Sequence, residues 1–376
     1  MSSWAPHAFR REGEKVGYDS AYLNALVKTG DHLNSGGYRV CFTLKHFSSM
    51  CEVPHDFLEE TVRRKNEPYR TFDIRKRNGK FRTISVPHPL LFQAQRWIHD
   101  NILKKAPKNP EATAFFENTS NVKNAQIHCG AKWLIKIDVE DFFDNISERQ
   151  VYHVFRNFGY PKLLSFKFAR LTTKVSMDGR NRFFSRWQTK APSRSMRSYW
   201  NGQVGCLPQG APTSPILANL VCASLDKDLA KQSKIHECIY TRYADDIVFS
   251  ALSMDRPKAK KIVLEINKRL SAMGLRANRR KIHIVPPGAR KIVTGLGVDG
   301  DRPTLGKEMK DRIKAHLHYA KKFGVAAHCL RKGFRSLIGF RNHLQGLVLY
   351  ASQVDAEFGK KCVEEMSQID WPDIEI

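Results

Sequence analysis

Apolar and polar positions recur along this chain with two different periods, and each change of period marks an element. Up to about residue 62 the period is helical: Tyr22, Leu23, Leu26 and Val27 fall on one face, and Val53-Pro54-His55-Asp56-Phe57-Leu58 reads as a turn entering a short helix. Between residues 69 and 87 the pattern turns strand-like. Two β-prone runs, 69–74 and 81–86, flank Asn78-Gly79, whose residues both tolerate the positive φ of a tight hairpin turn. A helix is expected from Leu90 past Ile98 toward Leu103, and a short helical patch over 122–128. Residues 132–139 alternate strictly. Trp133, Ile135, Ile137 and Val139 share one face, while Leu134, Lys136 and Asp138 share the other. The next residues, 140–146, are expected to turn into a helix that Asp141 and Asp144 would cap.

In the second half, Leu207-Pro208-Gln209-Gly210-Ala211-Pro212-Thr213-Ser214-Pro215 predicts a rigid loop feeding an apolar helix to about Ala230. The stretch Tyr240-Thr241-Arg242-Tyr243-Ala244-Asp245-Asp246-Ile247-Val248-Phe249 predicts a hairpin. A helix should open at Asp255 with Pro257 in its first turn, bury Ile262, Ile266, Leu270 and Met273, and stop at Gly274. Strands are expected at 282–285 and 292–298. From Gly306 the period is helical again, through Met309, Ile313, Leu317 and Ala320, then Leu337, Ile338, Leu344, Leu347 and Val348. Mixed strands and helices without βαβ alternation indicate an α+β fold.

Charge narrows the partners. The 376 residues carry 63 Lys plus Arg against 37 Asp plus Glu, a formal charge of +26. Such an excess suits a polyanion, with nucleic acid ahead of a membrane surface. No long apolar span and no secretory pattern is present, so no membrane partner is expected. The 8 cysteines are scattered without C-x-x-C or zinc spacing, which indicates free thiols and a reducing, cytoplasmic setting. Cations concentrate on the hairpin tip (Arg75-Lys76-Arg77-Asn78-Gly79-Lys80) and through residues 170–205, where Arg and aromatics interleave. The first suits a flap over a triphosphate or template strand, or a solvated hairpin guarding its edges. The second suits stacking and phosphate pairing with single-stranded nucleic acid, or a solvated loop.

Two adjacent carboxylates, Asp245 and Asp246, repel each other unless a cation lies beside them. A divalent metal would serve, and Asp138 at the end of its strand is the candidate third ligand. Three carboxylates drawn together match what two-metal phosphoryl transfer requires: two Mg²⁺ ions (Mn²⁺ as a substitute) about 4 Å apart, hard cations that also keep water and phosphate oxygens.

With these residues in view, the chain resembles the reverse transcriptases. Ile137-Asp138-Val139-Glu140-Asp141-Phe142-Phe143, the Leu207–Pro215 loop and Tyr243-Ala244-Asp245-Asp246 are similar to that family's motifs A, B and C, in order. Gly274-Leu275-Arg276-Ala277-Asn278-Arg279-Arg280-Lys281 resembles motif D. Asn124-Ala125-Gln126-Ile127-His128 and Val293-Thr294-Gly295 resemble the two signatures of the retron subgroup. The resemblance implies a right-hand polymerase of fingers, palm and helical thumb. The expected divisions are an N-terminal helical segment (1–62), fingers (63–130), palm (131–159), a basic insertion (160–205), palm again (206–298) and thumb (299–376).

It also implies roles. Asp138, Asp245 and Asp246 would be catalytic and, with Val139, the metal set. Phe143 would gate the sugar against a 2′-hydroxyl. Gln209 and Gly210 would line the nucleotide pocket, Lys80 and Arg82 would meet the triphosphate, and Lys281 the pyrophosphate. Asn124, His128, Val293, Thr294 and Gly295 would contact RNA. The implied activity is RNA-directed DNA synthesis from dNTPs on a cognate retron RNA, primed from a guanosine 2′-hydroxyl, with an effector or toxin protein as a further partner and a role in defence against phage. Another compact bacterial reverse transcriptase, or a catalytically idle RNA-binding scaffold, are the competing readings. Three intact carboxylates facing a polyanion count against the scaffold.

Overall fold

The expected basic hairpin forms. Strands β1 (Tyr69–Arg75) and β2 (Phe81–Pro87) pair antiparallel, in register from Tyr69 opposite Pro87 to Arg75 opposite Phe81. In this computed structural model, which describes residues 4–75, 79, 81–175 and 204–371, the chain gathers into two units. The first comprises Met1–Glu117, Asp138–Lys231 and Leu264–Arg280; the second comprises Asn118–Ile137, Gln232–Val263 and Lys281–Ile376.

Four helices open the first unit: Pro6–Lys15, Ser20–Ser35, Leu44–Cys51 and His55–Val62. Asp19 and Thr43 cap the second and third by accepting from the N–H groups of Tyr22 and His46. Leu23 and Val27 are buried as expected, but Tyr22 is exposed, because the buried stripe of that helix runs through Gly30 and Leu33 instead. After the hairpin come Pro89–Asn101 and a pair of helices, Glu148–Asn157 and Lys162–Thr172, whose Phe155 and Phe168 rings meet at 5.3 Å in a core shared with Phe47 and Tyr160.

Residues 140–146 do not become the start of a helix. They form turns, with Asp141 at φ +44°, and the helix begins at Glu148. Its cap is Ser147, not Asp141 or Asp144. The Ser147 hydroxyl accepts from Gln150 N–H and the Gln150 side chain accepts from Ser147 N–H, a capping box that outcompetes either acid. The helix expected from 214 to 230 is two, Ser214–Val221 and Ala223–Ile235.

A four-stranded sheet of order β4-β5-β3-β6 forms the second unit's centre, built from β3 (Trp133–Asp138), β4 (Ile239–Tyr243), β5 (Asp246–Ala251) and β6 (His283–Val285). Lys132 N–H donates to Ala251 O at 3.0 Å at one end of β3, and Lys136 reaches Asp246 near the other, so β3 and β5 run in opposite directions. The strand expected at 292–298 is a tight hairpin, β7 (Ile292–Val293) against β8 (Leu296–Gly297), with β9 (Thr304–Leu305) beside it. Thr294 (φ +48°) and Gly295 (φ +87°) turn the chain back on itself, which no continuous strand allows. Four helices complete the unit: Lys307–Phe323, Val325–Arg331, Leu337–Val354 and Ala356–Ser367. One apolar core joins them to the sheet through Leu134, Val248, Val293, Ile313, Phe340 and Val348. Helix Arg256–Ala272 opens at its expected cap, Asp255, which accepts from Lys258 N–H at 2.7 Å, and ends before Gly274 at φ +80°. No helix among the described residues is long and apolar enough to cross a membrane, and all eight cysteines are free thiols.

Candidate active site

Alternating Val, Ile, Tyr and Phe make β4 and β5 an antiparallel pair in which Tyr243 faces Asp246, leaving Ala244-Asp245 as a two-residue turn. Ala244 adopts φ +58°, a left-handed conformation that costs a side-chain-bearing residue about 1–2 kcal/mol. Arg242 offsets that strain: it is fully buried and its guanidinium donates to Ala244 O at 3.1 Å. A charged residue inside an apolar strand was the available signal for this support, and it carried no role in the sequence reading. Asp245 thus sits at the turn and Asp246 opens β5.

Lys136 is a cation beside Asp246. Its Nζ lies 2.9 Å from Asp246 Oδ2. Lys136 shares its strand face with Asp138, which closes β3, the neighbour of β5 in the sheet. Asp138 is counted with the first unit, Asp245 and Asp246 with the second. Among the described residues, no three His, Cys, Asp or Glu side chains are gathered closely enough to hold a metal ion. The donor type suits a hard divalent cation, and Asp246 is engaged by Lys136.

The first unit holds most of the expected nucleotide pocket. Val139 is buried and its backbone bridges Ala277, flanked by Glu140 N–H to Arg276 O and Asn278 N–H to Asp138 O, both at 2.8 Å. The segment after motif A is tied to the start of motif B, for Ser147 bridges Cys206 and Leu207 N–H donates to Ile146 O at 3.1 Å. Phe143 is half-buried, its ring 5.5 Å from Phe142 and 6.2 Å from Phe115. Gln209 O accepts from Ser85 N–H at 2.7 Å, which pins the Gln209-Gly210 loop to β2, the strand carrying exposed Arg82. Lys80 lies outside the described residues, as does 176–203 of the basic insertion. Lys281, exposed at the end of the 3₁₀ turn Arg279–Lys281, belongs to the second unit.

A buried ionic cluster anchors this arrangement from behind. Glu148 accepts from Arg64 (2.8 Å), Arg170 (2.7 Å) and Gly205 N–H (3.0 Å), with both guanidinium groups nearly excluded from water. Arg64 also donates to Thr173 O at 2.8 Å. The cluster therefore holds residues 173 and 205, both within the expected insertion. Sequence reasoning missed it, although Ser147-Glu148-Arg149-Gln150 carries the capping-box signature.

The expected RNA contacts divide. Asn124, His128 and Val293 are fully buried. Their apolar or hydrogen-bonded neighbours account for this: Val293 enters the core, and His128 hydrogen-bonds Ser250 Oγ and Thr241 Oγ1, each at 2.7 Å. Burial lowers the His128 pKa to about 4, so the ring is neutral. Thr294 is partly buried and Gly295 exposed at their turn. The Thr294 hydroxyl donates to Asn121 O at 2.9 Å, so the two signature stretches adjoin.

Over residues 74–299 the chain matches the reverse transcriptase (RNA-dependent DNA polymerase) family. It is 30% identical to the Retron Ec86 reverse transcriptase of Escherichia coli over 347 residues, covering 89% of this chain and 98% of that one. It is 31% identical to the Escherichia coli Retron Ec73 reverse transcriptase (82% and 91% covered). Identity to the Retron Mx162 reverse transcriptase of Myxococcus xanthus is 28%, with 80% of this chain and 61% of the relative covered. Among solved structures, telomerase from Candida albicans gives a TM-score of 0.43 at 10% identity, covering 82% of this chain and 64% of that one, a likeness too slight to add to the family match.

Proposed function

The chain belongs to the retron-type reverse transcriptases, RNA-directed DNA polymerases, and from that premise we propose that it copies part of one cognate structured RNA into single-stranded DNA joined to that RNA, starting from a guanosine 2′-hydroxyl. The observation that carries the reading is the β4–β5 turn. A strained Ala244, held by a buried Arg242, presents Asp245 in the turn and Asp246 at the start of β5, and the adjoining strand β3 ends in Asp138. Strain kept at a turn and supported by a buried charge is characteristic of a functional constraint.

In this reading Asp138, Asp245 and Asp246 would hold divalent cations, two in number, with Val139 beside them. When bound, such ions would lower the charge on the triphosphate and make the attacking hydroxyl a better nucleophile. The chain's own groups do the positioning. Arg82 and Lys80 neutralise the triphosphate, Gln209 and Gly210 shape the pocket against β2, Phe143 fills the space a ribose 2′-hydroxyl would need, and Lys281 meets the departing pyrophosphate. The large positive charge suits an RNA template and its DNA copy. An effector protein and a role against phage follow from family membership alone and stand as part of the proposal.

Sequencing the nucleic acid that copurifies with the protein tests it. A branched RNA–DNA species with a 2′-linked guanosine is expected. Unbranched DNA would remove the priming step, and RNA without any DNA would favour a scaffold.

A further inference from the structure

The helix Asn121–Ile127 ends in His128, and this segment sits against the back of the β4–β5 hairpin. Four side chains meet there, all at least 98% buried: Asn124, His128, Thr241 and Ser250. His128 Nδ1 lies 2.7 Å from Ser250 Oγ on β5, and its Nε2 lies 2.7 Å from Thr241 Oγ1 on β4. Thr241 Oγ1 in turn donates to Asn124 Oδ1 at 2.7 Å.

With Asn124 Oδ1 turned toward Thr241, one direction of donation follows along this chain. A threonine hydroxyl has one proton, and it goes to Asn124. Toward His128 the Thr241 oxygen can only accept, so the proton of the neutral ring is on Nε2. Nδ1 is then a lone pair and accepts from the Ser250 hydroxyl. One imidazole therefore bonds both strands of the hairpin, each by its own nitrogen. Thr241 precedes Asp245 by four positions and Ser250 follows Asp246 by four, so the ring spans the hairpin behind its turn. The far end of the helix is fixed as well: Asn121 Nδ2 donates to Tyr350 OH at 2.7 Å and Asn121 O accepts from Thr294.

We infer that Asn124 and His128 are positioning residues that clamp the hairpin carrying Asp245 and Asp246, and that they act on the chemical step without touching RNA. The inference rests on the reading of that hairpin as the bearer of the catalytic carboxylates. A buried, fully directed network of short hydrogen bonds holds one geometry. A displacement of reacting groups by about 1 Å costs on the order of 100-fold in rate. Thr241→Val keeps the shape of the side chain but leaves the Nε2 proton without an acceptor; Thr241→Ser restores the acceptor.

The test compares the full-length wild-type protein with Thr241→Val, Thr241→Ser, His128→Gln and, as reference, Asp245→Asn. DNA synthesis is measured on a generic primer–template and on the copurifying RNA, together with RNA affinity, melting temperature and the Mg²⁺ concentration giving half-maximal rate. Thr241→Val should lower kcat roughly 10- to 100-fold, equally on both templates. RNA affinity should stay within about twofold, since no RNA-facing surface changes. The Mg²⁺ requirement should rise, and Thr241→Ser should recover most of the rate. His128→Gln, whose amide can still donate to Thr241, should fall between them. Weakened RNA affinity with kcat intact would overturn the inference in favour of an RNA contact. A rate loss that follows melting temperature alone, with the Mg²⁺ requirement unmoved, would reduce the network to packing. An inert Asp245→Asn beside an unimpaired Thr241→Val sinks this inference only, whereas an active Asp245→Asn sinks the catalytic reading beneath it.

Discussion

Gly210→Ala probes the contact on which the proposed nucleotide pocket rests. Gly210 has φ +118°, where a side chain is poorly tolerated, and a Cβ there would stand 2.9 Å from Ser85 O and 3.0 Å from Ile84 Cγ2. Backbone strain of this kind costs about 1–3 kcal/mol, and overpacking against a fixed neighbour costs about 1–3 kcal/mol more. The cheaper response is for the loop to lift from β2 and give up the hydrogen bond from Ser85 N–H to Gln209 O, a loss of about 1 kcal/mol. Gln209 would then leave its place beside the strand carrying Arg82. The expected outcome is a rise of about tenfold or more in the KM for dNTP. The melting temperature should fall by a few degrees, at roughly 2–4 °C per kcal/mol for a unit of this size. Gly79→Ala is the control: Gly79 has φ +78° but open space around it, so it tests strain without collision. Steady-state kinetics and thermal denaturation read both variants. Wild-type KM and melting temperature in Gly210→Ala would refute the packing argument.

Phe143→Ala should relax discrimination against ribonucleotides, read as the ratio of kcat/KM for dNTP and rNTP; an unchanged ratio removes the gate. Glu148→Ala leaves two buried guanidinium groups without their carboxylate and should destabilise the protein by about 3–5 kcal/mol, so a melting temperature within a degree of wild type would contradict the cluster's role. Acid should also weaken the fold. Burial, with the neighbouring His328 and His343 rings, lowers the His316 pKa to about 4, and burial does the same to His128. Folded pKa values below the unfolded 6.5 mean that the unfolded chain binds more protons as pH falls. The stability is complete above about pH 6.5 and is lost progressively toward pH 4, by about 2 kcal/mol at pH 5 for the fully buried His128. Urea midpoints at pH 7 and pH 5 measure it, and equal midpoints would contradict it.

Local pattern carried the parts of the structure that local physics decides. The β1–β2 and β4–β5 hairpins and the Asp255-capped helix were legible because alternation, turn residues and caps act over a few residues. The turn at Thr294-Gly295 was read through as a strand, since a β-branched residue at positive φ is rare; here its hydroxyl bond to Asn121 O helps hold it there. Asn124 and His128 were expected at RNA from the resemblance, and their burial was not legible because the partners of His128, Thr241 and Ser250, lie more than a hundred positions away. The Glu148 cluster was invisible for the same reason, its arginines coming from distant helices. Lys136 was assigned to the face of Asp138, yet its pairing with Asp246 depends on the order of strands in the sheet.

Convergence of Asp138, Asp245 and Asp246 on a divalent cation is tested most directly by replacing Mg²⁺ with Fe²⁺ and letting ascorbate and peroxide cut the chain beside the bound ion. Two cuts are predicted, one next to Asp138 and one at Asp245-Asp246, both competed away by Mg²⁺ and both lost in Asp245→Asn. Cutting at one place only, or cutting that persists in Asp245→Asn, would contradict a shared metal site.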